Sequence, residues 1–284
     1  MSKIDLHLHT TASDGRFTPA GLVAKTAALG LEVIAITDHD TVAGVAPAQA
    51  AARAFSGLTV ISGVEINTDV PQGEAHLLGY FVNDTDDNLI NNLENLRSSR
   101  ELWAQKMLAK LAGLGLDVRW SRVQELAGSA TIGRPHIALA LLEKGYITSF
   151  SEAFTRYIGR EGPAYVEREK ITQEAAVALV LAAGGLPVLA HPFTVGEVEP
   201  MLRRLKEAGL VGLEAYYKDY SPARVRELVG LARKYRLLVT GGSDYHGLDE
   251  NTETMPGAVK IPPEVADKLF ALAGARGLLK ISHP

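Results

Sequence analysis

No cysteine occurs anywhere in the 284 residues. Disulfides and thiolate chemistry are thereby excluded, and any metal site must use nitrogen and oxygen donors. A long uninterrupted apolar run is also missing. The most hydrophobic stretch, near Ala175 to Ala190, is broken by Gly184, Gly185 and Pro187, so it is too short to span a bilayer and no membrane partner is expected. The N-terminus, Met-Ser-Lys-Ile-Asp, passes straight into functional-looking residues. No cleavable leader fits there, and a cytoplasmic location is expected. Positive charge is scarce too. The 29 Lys and Arg face 33 Asp and Glu, a net charge of −4, which argues against binding long duplex nucleic acid.

The distribution of that charge is uneven. Between Arg97 and Lys170 stand 12 Lys or Arg and 8 Asp or Glu, a balance of +4 that leaves −8 for the remainder. A basic middle segment beside an acidic centre suits an anionic substrate, although ordinary solvated helix faces would carry the same charges.

With 46% hydrophobic residues the chain can bury a proper core. Short apolar strands alternate with helical stretches over the first 80 or so residues. Strands are expected at Ile4 to Leu8, Leu31 to Thr37, Leu58 to Ile66 and Ala75 to Phe81. Thr18-Pro19 reads as a helix cap with proline at the first turn, and a second helix is expected through Ala43 to Phe55. From about Asp84 to Gly162 the pattern turns helical, with apolar residues three and four apart. The alternation resumes at Thr172, with strands at Leu186 to Ala190, Val211 to Tyr216 and Leu237 to Gly241. Helices are expected to Ala183, near Glu199 to Ala208, from Ser221-Pro222 and over Pro263 to Ala275. Seven βα-type strands with one helical insertion suggest a distorted (β/α) barrel, and a doubly wound open sheet is compatible with the same periodicity.

Seven of the eight histidines stand in compact polar groups; His283 alone lies in the C-terminal tail. His7-Leu8-His9, followed by Asp14, places two imidazoles on one face of a strand. Thr37-Asp38-His39-Asp40 ends the second strand and Glu65 the third. Then come His76 in Glu74-Ala75-His76, His191 after Ala190, and Asp244-Tyr245-His246. All but His76, which falls early in its strand, sit at expected strand C-termini, where barrel active sites are built. Imidazoles mixed with carboxylates suit Mn²⁺, Fe²⁺ or Zn²⁺. Nine donors are too many for one tetrahedral ion and enough for two or three.

The order His-x-His, Asp, His, Glu, His, His, Asp-x-His resembles the polymerase-and-histidinol-phosphatase (PHP) family of metal phosphoesterases. It is filled here by His7, His9, Asp14, His39, Glu65, His76, His191, Asp244 and His246. The resemblance spans the chain apart from the insertion and the C-terminal tail. It implies an α/β fold, a distorted (β/α)7 TIM-like barrel over 1–83 and 165–284, with an inserted helical subdomain over 84–164 acting as a substrate-binding lid. It also implies two or three divalent cations, Mn²⁺ foremost, with Fe²⁺ or Zn²⁺ also suited. His7, His9, Glu65 and Asp244 would share one ion. Glu65 would bridge to a second at His76 and His191, and Asp14, His39 and His246 would hold a third.

Within the insertion, Thr131-Ile132-Gly133-Arg134-Pro135-His136 resembles a subgroup acting on 3′,5′-nucleoside bisphosphates and on the ends of short RNA. The resemblance gives Arg134 and His136 a grip on substrate phosphate. Arginine offers a bidentate fork, and a helix N-terminus favours anions; a proline-started helix with an incidental Arg and His is the plain alternative. The expected reaction is hydrolysis of the 3′-phosphate of a nucleoside bisphosphate such as 3′,5′-adenosine bisphosphate. The ions held by Glu65, Asp244 and His191 would activate the attacking water. Lys25, Glu214 and Ser243 neighbour these motifs and read as structural. Histidinol-phosphate hydrolysis, another PHP nuclease or phosphatase activity, amidohydrolysis of C–N bonds and a non-catalytic metal-binding module are the alternatives.

Overall fold

The computed structural model describes residues 2–69, 75–128, 132–167, 171–194, 197–248 and 252–279. Glu74, Thr131 and His283 lie outside them. The chain divides into two compact units, residues 1–93 with 171–284, and residues 94–170.

The first unit is an α/β barrel. Its elements in chain order are β1 (Ile4–Leu8), α1 (Pro19–Ala28), β2 (Val33–Ile36), α2 (Val45–Ala52), β3 (Thr59–Asp69) and β4 (Ala75–Tyr80), with α3 (Asp87–Gly113) opening at its end. After the second unit come β5 (Ile171–Thr172), α7 (Gln173–Ala182), β6 (Leu186–Leu189), α8 (Val198–Ala208), β7 (Gly212–Tyr217), α9 (Pro222–Tyr235), β8 (Leu238–Gly242) and α10 (Glu264–Ala275). The strands run in the order β1-β2-β3-β4-β6-β7-β8, with β5 pairing the far end of β3. A Leu8–Tyr245 bridge and the His9 N–H donating to the Tyr245 carbonyl at 3.0 Å bring the two edges together, so the seven-stranded barrel is nearly closed.

The helix starts follow their local chemistry. Thr18 accepts from the Gly21 N–H at 3.1 Å with Pro19 at the first turn of α1. Thr172 and Ser221 cap α7 and α9 in the same way, each cap worth roughly 1 kcal/mol. Leu6, Leu78, Tyr80, Leu186, Val188 and Ala190 form part of one core cluster, while Leu8, Leu22, Val23, Ile34 and Ile36 belong to another. The Tyr80 hydroxyl donates to the Leu6 carbonyl at 3.0 Å, which satisfies it in the dry interior.

One strand departs from the expected βα pattern. β4 is antiparallel to both β3 and β6, because β3 and β4 form a hairpin rather than a helical crossover. That hairpin also carries β3 on to Asp69, so Glu65 lies within the strand and not at its end. Reversal puts the start of β4 beside the later residues of β3, with His76 opposite Asn67. The early position of His76 is therefore the correct one for a residue at this barrel mouth.

The second unit is helical among its described residues. It holds the rest of α3 with α4 (Trp120–Ala127), α5 (Arg134–Glu143) and α6 (Phe150–Ala153), which runs into a π-helical turn at Phe154–Ile158. Met107, Leu111, Val123, Ile137, Leu141 and Ile158 pack its core, and the Trp103 indole donates to the Val166 carbonyl at 2.7 Å. Among the described residues, no helix is long and apolar enough to cross a membrane.

Candidate metal centre

His7 and His9 leave β1 on one face while Leu8 packs on the other side with Leu22 and Ile36. The register with β2 slips between Asp5 and Leu8, a bulge of the kind that re-aims side chains beside sites. Gly242 on β8 allows the approach. A Cβ there would stand 2.3 Å from the Cβ of His7. Asp40, His191 and Asp244 all have positive φ, of 50°, 20° and 50°, conformations that cost energy in non-glycine residues and gather at functional sites.

Glu65 is the hub. Its Oε2 lies 3.0 Å from His7 Nε2, 3.2 Å from His9 Nε2 and 3.2 Å from His39 Nδ1. Its Oε1 lies 2.8 Å from His76 Nδ1 and 3.0 Å from His191 Nε2. Asp244 Oδ1 stands 3.1 Å from His9 Nε2 and 3.4 Å from His7 Nε2. Asp14 reaches His246 Nε2 at 3.3 Å, His9 Nδ1 at 3.7 Å and His39 Nε2 at 3.8 Å. All nine sequence-derived donors thus converge.

Among the described residues, three sets have donor atoms mutually within 4.8 Å: His7, His9, Glu65 and Asp244; His9, Asp14, His39 and His246; and His39, Glu65 and His76. The first matches the expected sharing. The second adds His9 to the expected trio, and in the third His39 joins Glu65 and His76. His191 converges on the same Glu65 oxygen as His76.

The donor set fits divalent cations on its own chemistry. Both ring nitrogens of His9 and Oδ1 of Asp14 are buried without a hydrogen-bond partner. At His9 no hydrogen bond relieves the approach of the Glu65 and Asp244 oxygens at 3.2 and 3.1 Å, an arrangement that calls for positive charge between them. Protonation shows the same demand. Burial opposes it, yet the Asp244 and Glu65 carboxylates lift His9 to about 10. Burial alone would raise the Glu65 carboxyl, but His7, His39 and His76 hold it well below the carboxylate range. Asp244 is lowered likewise by His7 and His9 against its burial. His39 goes the other way, pushed to about 4 chiefly by burial.

Further residues support the donors: Asp38 from the group that ends the second strand, and Glu214, which reads as structural in the sequence and here touches a ligand. Glu214 is fully buried; its Oε1 lies 3.1 Å from His7 Nδ1 and its Oε2 accepts the backbone N–H of His191 at 2.9 Å. With Nδ1 donating, Nε2 is left as the donor atom that faces Glu65 and Asp244, the usual outer support of a ligating histidine. Asp38 accepts from the Thr10 N–H, the Thr10 hydroxyl and the Ser13 hydroxyl at 2.6–2.8 Å, which fixes the turn leading to Asp14. The Tyr217 hydroxyl and the Lys218 ammonium bond to Asp244 Oδ2 at 2.8 and 3.1 Å, turning Oδ1 towards the imidazoles. Ser243 donates its N–H to buried Asp5 at 3.0 Å, and Lys25 lies over the Phe17 ring at 4.7 Å.

In the second unit, Arg134 begins α5 and its guanidinium lies 5.8 Å from the Phe154 ring centre. His136 Nδ1 accepts the Gly133 N–H at 3.0 Å, so His136 helps to cap the helix and a neutral ring carries its proton on Nε2.

A family model described as PHP domain matches residues 5–183. The chain is 29% identical over 273 residues to the 3′,5′-nucleoside bisphosphate phosphatase of Chromobacterium violaceum, covering 93% of this chain and 94% of that protein. It is 34% identical over 247 residues to the 5′-3′ exoribonuclease Rnm of Escherichia coli K12, covering 85% and 84%. A solved structure from Bifidobacterium adolescentis, described as a metal-dependent phosphoesterase, superposes with a TM-score of 0.82 at 29% identity, covering 94% of this chain and 95% of that one.

Proposed function

This chain belongs to the PHP domain family of metal-dependent phosphoesterases, and we propose that it removes the 3′-phosphate from 3′,5′-nucleoside bisphosphates, with the 5′ ends of short RNA as a second substrate class. The observation that carries the substrate reading is the Gly133-Arg134-Pro135-His136 helix start in a segment of net positive charge. Likeness to a bisphosphate phosphatase and an exoribonuclease supports the same reading.

In this reading His7, His9, Asp14, His39, Glu65, His76, His191, Asp244 and His246 are the metal ligands, and Mn²⁺ is the working ion. Bound cations supply Lewis acidity, polarising the phosphoryl oxygens and lowering the pKa of an attacking water. The chain's own part is to hold the donors rigid. Glu65 presents an oxygen to each side of the cluster, Glu214 fixes the tautomer of His7, and Tyr217 with Lys218 fixes the rotamer of Asp244. Arg134 and His136 would grip the substrate's 5′-phosphate or help to neutralise the reacting one, a guanidinium being suited to phosphate as a bidentate fork.

The test is phosphate release by Mn²⁺-loaded protein offered 3′,5′-adenosine bisphosphate, AMP, histidinol phosphate and a short 5′-phosphorylated RNA. Preference for the bisphosphate is expected in the wild type, and Arg134→Ala should erase it, lowering kcat/KM for the bisphosphate about 10- to 100-fold through KM. Preference for histidinol phosphate, or indifference to Arg134→Ala, refutes the substrate assignment while leaving the metal centre intact.

A further inference from the structure

The centre has an aromatic edge. Tyr217 ends β7, and its ring centre lies 5.3 Å from that of His191. From Tyr217 the surface continues to Tyr220 at 5.2 Å with planes 54° apart, and from Tyr220 to Phe193 at 5.2 Å and 78°. Phe193 follows His191 by two residues, so the three rings start at the ligand cluster and lead away from it. Two cations flank them. Arg224 lies 5.1 Å from the centre of Phe193, and Lys218 Nζ lies 5.5 Å from that of Tyr217.

All three residues are partly exposed, and each phenol oxygen takes part in a hydrogen bond. The Tyr217 hydroxyl donates to Asp244 and the Tyr220 hydroxyl accepts the Phe193 N–H at 3.0 Å. Those bonds hold the rings in place. Partly exposed aromatic rings beside the ligand cluster are a surface suited to a flat, electron-rich partner. Arg224, against Phe193, suits a partner that also carries phosphate, while Lys218 is paired with Asp244.

We propose that Phe193, Tyr220 and Tyr217 form the stacking surface for the nucleobase of the substrate, with Arg224 as its cationic flank. This rests on the nucleotide reading above. Every base has a π-face, so stacking of this kind tolerates base identity, and adenine, guanine, cytosine and uracil bisphosphates should be used with similar efficiency. Removing one stacking partner from one base costs roughly 5- to 150-fold in binding.

The experiment compares 3′,5′-adenosine bisphosphate with methyl ribofuranoside 3,5-bisphosphate, which lacks the base, on the Mn²⁺-loaded full chain. Phe193→Leu and Tyr220→Leu keep apolar volume and remove the aromatic face. Each should lower kcat/KM for the nucleotide at least about fivefold more than for the base-free analogue, chiefly through KM. In a parallel proton NMR titration, the adenine signals of AMP should shift upfield with wild-type protein and less with either variant. Equal losses on both substrates, in variants that keep the wild-type circular dichroism and melting temperature, overturn the stacking surface. So does a wild type that uses both bisphosphates equally well, which leaves the nucleotide reading standing. A wild type that hydrolyses neither bisphosphate sinks the nucleotide reading and this surface with it.

Discussion

Glu214 Oε1 lies 3.1 Å from His7 Nδ1, and neither side chain has any exposure. The other Glu214 oxygen takes the His191 backbone N–H at 2.9 Å, so one carboxylate on β7 disciplines donors that arrive from β1 and from the end of β6. Glu214→Gln can keep one of these bonds and must lose the other, because its amide nitrogen cannot accept. Mn²⁺ affinity is predicted to fall about 10- to 100-fold, read by competition with a chromophoric chelator. Unchanged affinity would mean that Glu214 is only filling space.

Proton release on metal binding follows from His9. Its pKa rises from 6.5 to about 10, since the Asp244 and Glu65 carboxylates outweigh burial. A base raised on folding stabilises the metal-free protein fully below 6.5, and that contribution is lost as pH climbs towards 10. His39, depressed to about 4 chiefly by burial, contributes on the acid side, where stability is lost as pH falls from 6.5 towards 4. For His9 to serve as a ligand it would have to give up that proton. Calorimetry at pH 8 in buffers of different ionisation enthalpy should therefore show net proton release, and affinity should rise between pH 7 and 9. Binding with no proton exchange would contradict the charge state assigned to His9.

Gly242→Ala tests the closeness of β8 and β1. The added methyl would meet His7 Cβ at 2.3 Å and the His7 backbone nitrogen at 2.6 Å, and neither is the tip of a flexible chain. A loss of about 1–3 kcal/mol is expected, seen as a lower urea midpoint with an unchanged slope. Wild-type stability would show that the two strands can part without cost.

Much of this is legible in the sequence. Strands and helices were placed within a few residues, because buried parallel strands read as apolar runs and Thr18-Pro19 and Ser221-Pro222 carry their own capping chemistry. The donors announced themselves because histidines at strand ends are rare without a task. Strand direction was not legible. Nothing within Ala75 to Tyr80 says that the strand runs backwards, and only pairing with β3 and β6 explains His76. Supporting residues are only partly legible, and Glu214 reads from the sequence as a structural neighbour. Glu214 is one acid in an apolar strand, and its value depends on a histidine 207 positions away. A lone acid inside a buried run, Gly212-Leu213-Glu214-Ala215, was the available signal.

The most direct test of the centre is the number of Mn²⁺ ions bound per chain at equilibrium, by mass spectrometry of the metal, in wild type and Glu65→Gln. Glu65 gives one oxygen to His7, His9 and His39 and the other to His76 and His191, so it should tie neighbouring ions together. The account predicts more than one ion in the wild type, at least one fewer in Glu65→Gln, and phosphatase activity down about a thousandfold. A single ion in the wild type, or the same count in both proteins, would contradict it.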